Sequence, residues 1–134
     1  MRVRDLMTRE VVAAHPDDSL ATLHGMMFER DVRHMPVVED RELVGLVSQR
    51  DLLRHALIEQ PDVPDFIQDA LLERLRVREL MTTGVVSIDP DADIREAAQI
   101  MFENKFGCLP VVEGSRLVGI LTESDFVRLM TDGH

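Results

Sequence analysis

The 134-residue chain has no tryptophan, no tyrosine and only one cysteine, Cys108. A lone cysteine excludes an internal disulfide and a cysteine metal cluster, and it fits a reducing compartment, so the cytoplasm is the expected location. No apolar run approaches the roughly 18 residues of a membrane span, and no apolar stretch follows Met1-Arg2-Val3-Arg4-Asp5. Neither a membrane anchor nor a secretory leader is therefore expected. Positive charge is scarce as well, with 15 Lys and Arg against 25 Asp and Glu and a net charge of −10. The overall field repels polyanions and argues against nucleic acid or an anionic membrane as the partner. A small anion is a separate matter, because it responds to charges within a Debye length of about 8 to 10 Å.

What the chain does contain is a repeat. Val3-Arg4-Asp5-Leu6-Met7-Thr8 returns 74 residues later as Val77-Arg78-Glu79-Leu80-Met81-Thr82. At that offset, residues 3–56 and 77–130 share 21 identities in 54 ungapped positions, where chance at ordinary composition gives about three or four. A 54-residue unit is marginal as a core of its own. The two units, 3–56 and 77–130, are therefore expected to share a core, with 57–76 between them.

The hydrophobic period switches inside each unit. Val11 to Ala14 and Val85 to Ile88 are short apolar runs stopped by His15-Pro16 and Asp89-Pro90, the pattern of a buried strand ending in a turn. Helices then start behind Ser19 and Asp93, with Leu20, Leu23, His24, Met27 and Ile94, Ala97, Ala98, Met101 at i, i+3, i+4, i+7. Strands at 35–38 and 43–47, and at 109–112 and 117–121, are joined by connections short enough for hairpins. A second helix closes each unit, from Asp51 to Leu57 and from Asp125 to Met130. The fold class is α+β, two pseudo-symmetric β-α-β-β-α units. In the connector, Phe66, Ile67, Ala70, Leu71 and Leu75 mark an amphipathic helix.

Before each closing helix stands the same pattern, Gly45-Leu46-Val47-Ser48-Gln49-Arg50-Asp51 and Gly119-Ile120-Leu121-Thr122-Glu123-Ser124-Asp125. One reading is capping, with Ser48 or Thr122 as N-cap and the acid at N3 reaching back. The other is a ligand site. A strand that opens into a helix presents backbone N–H groups and the positive end of the dipole to an anion. An ionised Asp, acceptor-only, suits the vicinal hydroxyls of a ribose, and a glycine in the strand allows close approach.

Two such units, each with an apolar-Pro-Val strand (Met35-Pro36-Val37, Leu109-Pro110-Val111) and a Gly-x-x-Ser/Thr-x-x-Asp helix start, resemble a tandem pair of cystathionine-β-synthase (CBS) domains, the Bateman module. The resemblance covers residues 3–130. It implies a fold in which the units pack sheet to sheet about a pseudo-twofold axis, a homodimer, and an adenosine-containing ligand (AMP, ADP or ATP foremost) in clefts between the units. Carried over residue by residue, it makes Asp51 and Asp125 ribose holders and Ser48 and Thr122 the matching hydroxyls. Arg50 and Ser124 face phosphate, as do Arg33 and His34, where the second unit has Gly107 and Cys108. Pro36 and Pro110 mark the strands, and adenine lies against Thr8 to Val12 and Thr82 to Val86. His34 or a phenylalanine is the only ring available near a base.

The expected function is a regulatory sensor, not an enzyme; no nucleophile, base and orienter assemble from these motifs. The alternative is a structural or dimerisation module whose Ser/Thr-x-x-Asp pairs only cap helices. No metal is expected, since His15, His24, His34 and His55 lack a carboxylate or Cys at metal spacing. His24 is expected to be packed or at an interface. The methionines, Met26, Met27, Met101 and Met130 among them, are expected to fill the core. Cys108 is read as a small buried hydrophobe, with a redox-sensitive thiol as the competing reading.

Overall fold

A computed structural model describes residues 1–54 and 64–132. Its elements are α1 (Val3–Leu6), α2 (Leu20–Arg30), β1 (His34–Glu39), β2 (Glu42–Ser48), α3 (Gln49–Leu52), α4 (Asp65–Arg74), a 3-10 turn (Val77–Glu79), α5 (Ile94–Asn104), β3 (Cys108–Glu113), β4 (Arg116–Thr122) and α6 (Glu123–Thr131). The class is α+β, as the periodicity predicts. The expected first strands are not strands, because each reduces to one parallel bridge, Ala14 with Val37 and Ile88 with Val111. The Pro-Val motifs explain the bridges. Pro36 and Pro110 have no N–H, but their carbonyls accept from Ala14 N (2.9 Å) and Ile88 N (3.0 Å).

Packing cuts across the sequence repeats. One compact unit comprises Val12–Asp40 and Val44–Val85; the other comprises Met1–Val11, Arg41–Leu43 and Val86–His134. Each takes its leading segment from the other repeat. In the first, Val77 N and Arg78 N donate to Asp18 O and Pro16 O, both at 2.9 Å. In the second, Val3 N and Arg4 N donate to Ala92 O (2.9 Å) and Pro90 O (2.8 Å). The core that the repeats are expected to share is accordingly divided into two clusters, each drawing on both repeats. Leu20, Leu23, Met27, Met35, Val37, Val47, Leu52, Leu72 and Val77 form one; Val3, Met7, Ile88, Ala97, Met101, Leu109, Val111 and Leu121 form the other. Exchange supplies what a 54-residue unit lacks, since Val77 and Val3 are each fully buried in the unit built on the opposite repeat.

The repeat glycines serve this exchange. A Cβ on Gly45 would lie 2.7 Å from Met81 Sδ, and one on Gly119 would lie 2.6 Å from Met7 Sδ and 3.0 Å from the Thr8 carbonyl oxygen. The close neighbour expected at these positions is the exchanged segment itself.

In the first unit, Ser19 caps α2 by accepting from Thr22 N (3.1 Å), and α2 packs on α3 and α4. The buried face of α4 differs from expectation. Phe66 and Ile67 are exposed and Leu72 is buried, with Leu75 packed partly against the cluster. Leu20 N donates to Leu75 O (3.0 Å), which pins the end of α4 to the start of α2 and sets the face at 68, 71, 72 and 75. His24 is exposed rather than packed. The closing helix starts two residues earlier than expected, at Gln49; its last expected residues, with His55 and 57–63 of the connector, lie outside the described residues.

In the second unit, Asp93 caps α5 by accepting from Arg95 N (2.8 Å), and β3 and β4 pair antiparallel from Cys108↔Thr122 to Glu113↔Arg116 with a bulge at Val111/Val112. The head of β2 joins β4 at Glu42↔Arg116. The β1–β2 turn holds Asp40 and Arg41 at φ 52° and 70°, whereas the β3–β4 turn uses Gly114 at 66°. Met130 on α6 stands 80% exposed, against the core role expected of it, and Phe28 and Phe102, at repeat-equivalent positions of α2 and α5, are 82% and 85% exposed.

Candidate functional site

The exchange sorts the expected ligand residues into two groups. The first unit holds Val12, Arg33, His34, Pro36, Ser48, Arg50, Asp51 and Thr82; the second holds Thr8, Val86, Pro110, Thr122, Ser124 and Asp125. Thr8 therefore belongs with Asp125, and Thr82 with Asp51. Backbone pairing makes this concrete. Thr8 exchanges both hydrogen bonds with Ile120 (2.9 and 3.0 Å), and Thr82 does the same with Leu46 (2.9 and 3.0 Å).

At the start of α3 the geometry is a capping box. Asp51 N donates to Ser48 Oγ and Ser48 N donates to Asp51 Oδ2, both at 3.0 Å. Gln49 N donates to Arg33 O (2.8 Å), so residue 33 sits against the helix start. Two of the first three helix N–H groups are thus engaged by protein, and the expectation of a free backbone anion site is corrected. Charge at this end comes from side chains. Arg33 and Arg50 are exposed, and their guanidinium groups have no hydrogen-bond or ion-pair partner among the described residues. His34 is half-buried at the head of β1. Asp51 is half-buried, with Oδ1 accepting no hydrogen bond among the described residues.

The equivalent place in the second unit is different. Glu123 N donates to Gly107 O (3.3 Å), repeating the backbone tie, but Ser124 and Gly107 replace the two arginines. Asp125 is 2% exposed. Its Oδ2 accepts from Thr122 N (2.8 Å) and Thr122 Oγ1 (3.3 Å); its Oδ1 accepts from Thr8 Oγ1 (3.3 Å) and pairs with Arg128. Spacing hid this cluster, because Thr8 lies 117 residues from Asp125.

The remaining expected residues divide plainly. Pro36 and Pro110 are buried with their carbonyls bonded to the preceding bridges. Val12 packs partly against the first cluster, while Val86 is 45% exposed. Cys108 is 3% exposed, and burial pushes its thiol up to about 12, which suits the hydrophobe and not the redox thiol.

Contrary to the spacing argument, His15 does have carboxylates near it. Its Nδ1 is 3.8 Å from Asp17 Oδ2 and its Nε2 is 3.7 Å from Glu39 Oε2. The three could offer a cation one ligand atom each. Nδ1, however, accepts the Asp17 N–H (3.0 Å), and Asp17 is paired with Arg78. The trio is therefore internally engaged. Among the described residues no helix is long and apolar enough to cross a membrane.

Comparison with known proteins returns one family. The family model for the CBS domain matches residues 3–58 and again 77–132. A solved structure described as a candidate acetoin utilization protein, AcuB, from Vibrio cholerae is 37% identical over 98% of this chain and 91% of its own, with a TM-score of 0.83. CBSX2, an Arabidopsis thaliana protein solved in complex with AMP, is 29% identical over 98% of this chain and 96% of its own, with a TM-score of 0.81. The CBS domain-containing protein YhcV of Bacillus subtilis is 28% identical over 92% of this chain and 81% of its length. The first curated relatives are longer, and the chain spans less than half of each.

Proposed function

Since this chain belongs to the CBS domain family and carries two such domains in tandem, we propose that it is a regulatory module that binds an adenosine-containing ligand of the AMP, ADP or ATP class. One observation carries the reading. At the start of α3 two guanidinium groups with no partner among the described residues, Arg33 and Arg50, accompany Asp51, one of whose carboxylate oxygens accepts no hydrogen bond from them. A carboxylate accepts from a ribose diol, and a guanidinium forks onto a phosphate. AMP in CBSX2 supports the ligand class.

In this reading Ser48, Thr82 and His34 complete the first position, and Thr8, Thr122, Ser124 and Val86 flank the second. Val12 covers a face of the base, and Pro36 and Pro110 set the strands. The protein works in the cytoplasm as a homodimer, acts by binding and not by catalysis, and passes the ligand's effect to a partner protein. The net charge of −10 keeps nucleic acid and anionic membranes away. A ligand shifts such a module only by its differential affinity for two arrangements.

Thermal unfolding against adenosine, AMP, ADP, ATP, NAD and S-adenosylmethionine tests the proposal. A ligand at about 100 times its Kd stabilises by about 2.7 kcal/mol, a rise in Tm on the order of 10 °C for this size. AMP should stabilise more than adenosine, and Arg50→Glu should remove that difference. Silence across the panel, or an unchanged response in Asp51→Asn, would favour a purely structural or dimerising module, a reading that the complete capping boxes and exposed Phe28 and Phe102 support.

A further inference from the structure

The two helix-start aspartates are identical in sequence context but not in state. Four donors converge on Asp125: the Thr8 hydroxyl, the Thr122 N–H, the Thr122 hydroxyl and the Arg128 guanidinium. A carboxylate has about four lone-pair sites, so Asp125 has none left. Among the described residues Asp51 accepts one donor, the Ser48 N–H. Repeat composition does not explain the difference, because Arg54 stands at the position equivalent to Arg128. In α6 the helix runs unbroken from Glu123 to Thr131, which stacks residues 125 and 128 on one face. After Leu52 the chain widens into a π-type turn at 53–54, and Arg54 is exposed without a bond to Asp51.

We propose that Arg128 is an internal latch on Asp125, so that the chain binds one ribose-bearing ligand, at Asp51, and the Asp125 position accepts a second only when Arg128 is withdrawn. This rests on the function proposed above. The latch uses the same chemistry as the ligand: both need the Asp125 oxygens as acceptors, and the guanidinium adds an opposite charge that a neutral diol does not bring. Thr8 and Thr122 hold the carboxylate in place on its other lone pairs, so Arg128, whose side chain is 59% exposed, is the member able to leave.

The test is calorimetric titration of the full chain with AMP. Wild type should take up one AMP per chain, and Asp51→Asn should weaken that uptake at least tenfold. Arg128→Ala should take up two, the second lost in Arg128→Ala/Asp125→Asn. Arg128→Gln, which keeps the stem and a donor but no charge, should also gain the second site and guards against an Ala variant that folds poorly; melting without AMP verifies folding. Two equal sites in wild type, or one site in both Arg128 variants, overturns the latch while leaving the proposed function standing. No AMP uptake by any form overturns both.

Discussion

A glycine shared by both repeats makes different demands at its two places. The three atoms nearest the methyl of Gly45→Ala all belong to the flexible Met81 side chain, whereas that of Gly119→Ala would also meet the Thr8 carbonyl oxygen at 3.0 Å. Backbone cannot swing aside as a thioether can. Gly119→Ala should therefore destabilise by about 1 to 3 kcal/mol, the range for overpacking, and Gly45→Ala by less, read as shifts in urea midpoint at constant slope. The presence of a glycine needing close approach was legible in the sequence; what approaches it was not. The partner is 112 residues away for Gly119 (Met7) and 36 residues on for Gly45 (Met81), and no local pattern encodes such a pairing. The same holds for Thr8 with Asp125 and His15 with Glu39. Residue types disclosed the chemistry, and the fold alone disclosed the company.

At the scale of elements, hydrophobic period and capping residues located α2, α5, β1 to β4 and the starts of the closing helices to within a few residues. They failed where tertiary contact overrides local pattern. Val11–Ala14 and Val85–Ile88 have strand composition, but a single bridge to β1 or β3 is all the ladder each receives. On α4 two apolar stripes compete, and the bond from Leu20 N to Leu75 O selects the one through Leu72. Turn chemistry supplies a prediction. Arg41 at φ 70° and Lys105 at φ 58° occupy the left-handed region that side chains resist. Arg41→Gly and Lys105→Gly should each stabilise by about 0.5 to 1 kcal/mol, less the larger chain entropy of glycine when unfolded. Denaturant midpoints should rise in both; a fall in either would mean that its side chain holds a contact worth more than the relieved strain.

Across the whole molecule, each exchanged segment is tied down by an arginine. Arg78 bonds Asp17 (Nε, 3.0 Å) and Arg4 bonds Asp91 (Nε, 2.7 Å). These bonds, then the opposite charges, hold both carboxyls below the ordinary 3.8. A depressed carboxyl pKa contributes stability above the unfolded value and loses it as pH falls through the folded one. Wild type should thus be more stable than Arg78→Gln at about pH 6, with the gap closing as pH drops below 3.8. Being exposed, the pairs are screened, so the gap should also shrink with salt. A gap that persisted at about pH 2 would assign Arg78 a packing role instead.

The reciprocal placement of Val3–Thr8 and Val77–Thr82 bears on what a single repeat could be. The two hexapeptides differ only at Asp5 and Glu79, so either would fit the other's place. A polypeptide of one repeat would lack a Val77 for its own cluster, but a second copy could lend its Val3, and two such chains would close by mutual loan. The fused chain performs that loan within itself, which makes its assembly independent of concentration. The link that makes this possible also lends Leu72 to the first cluster. Cutting it should leave two fragments that refold together and not apart, turning a first-order folding reaction into a second-order one.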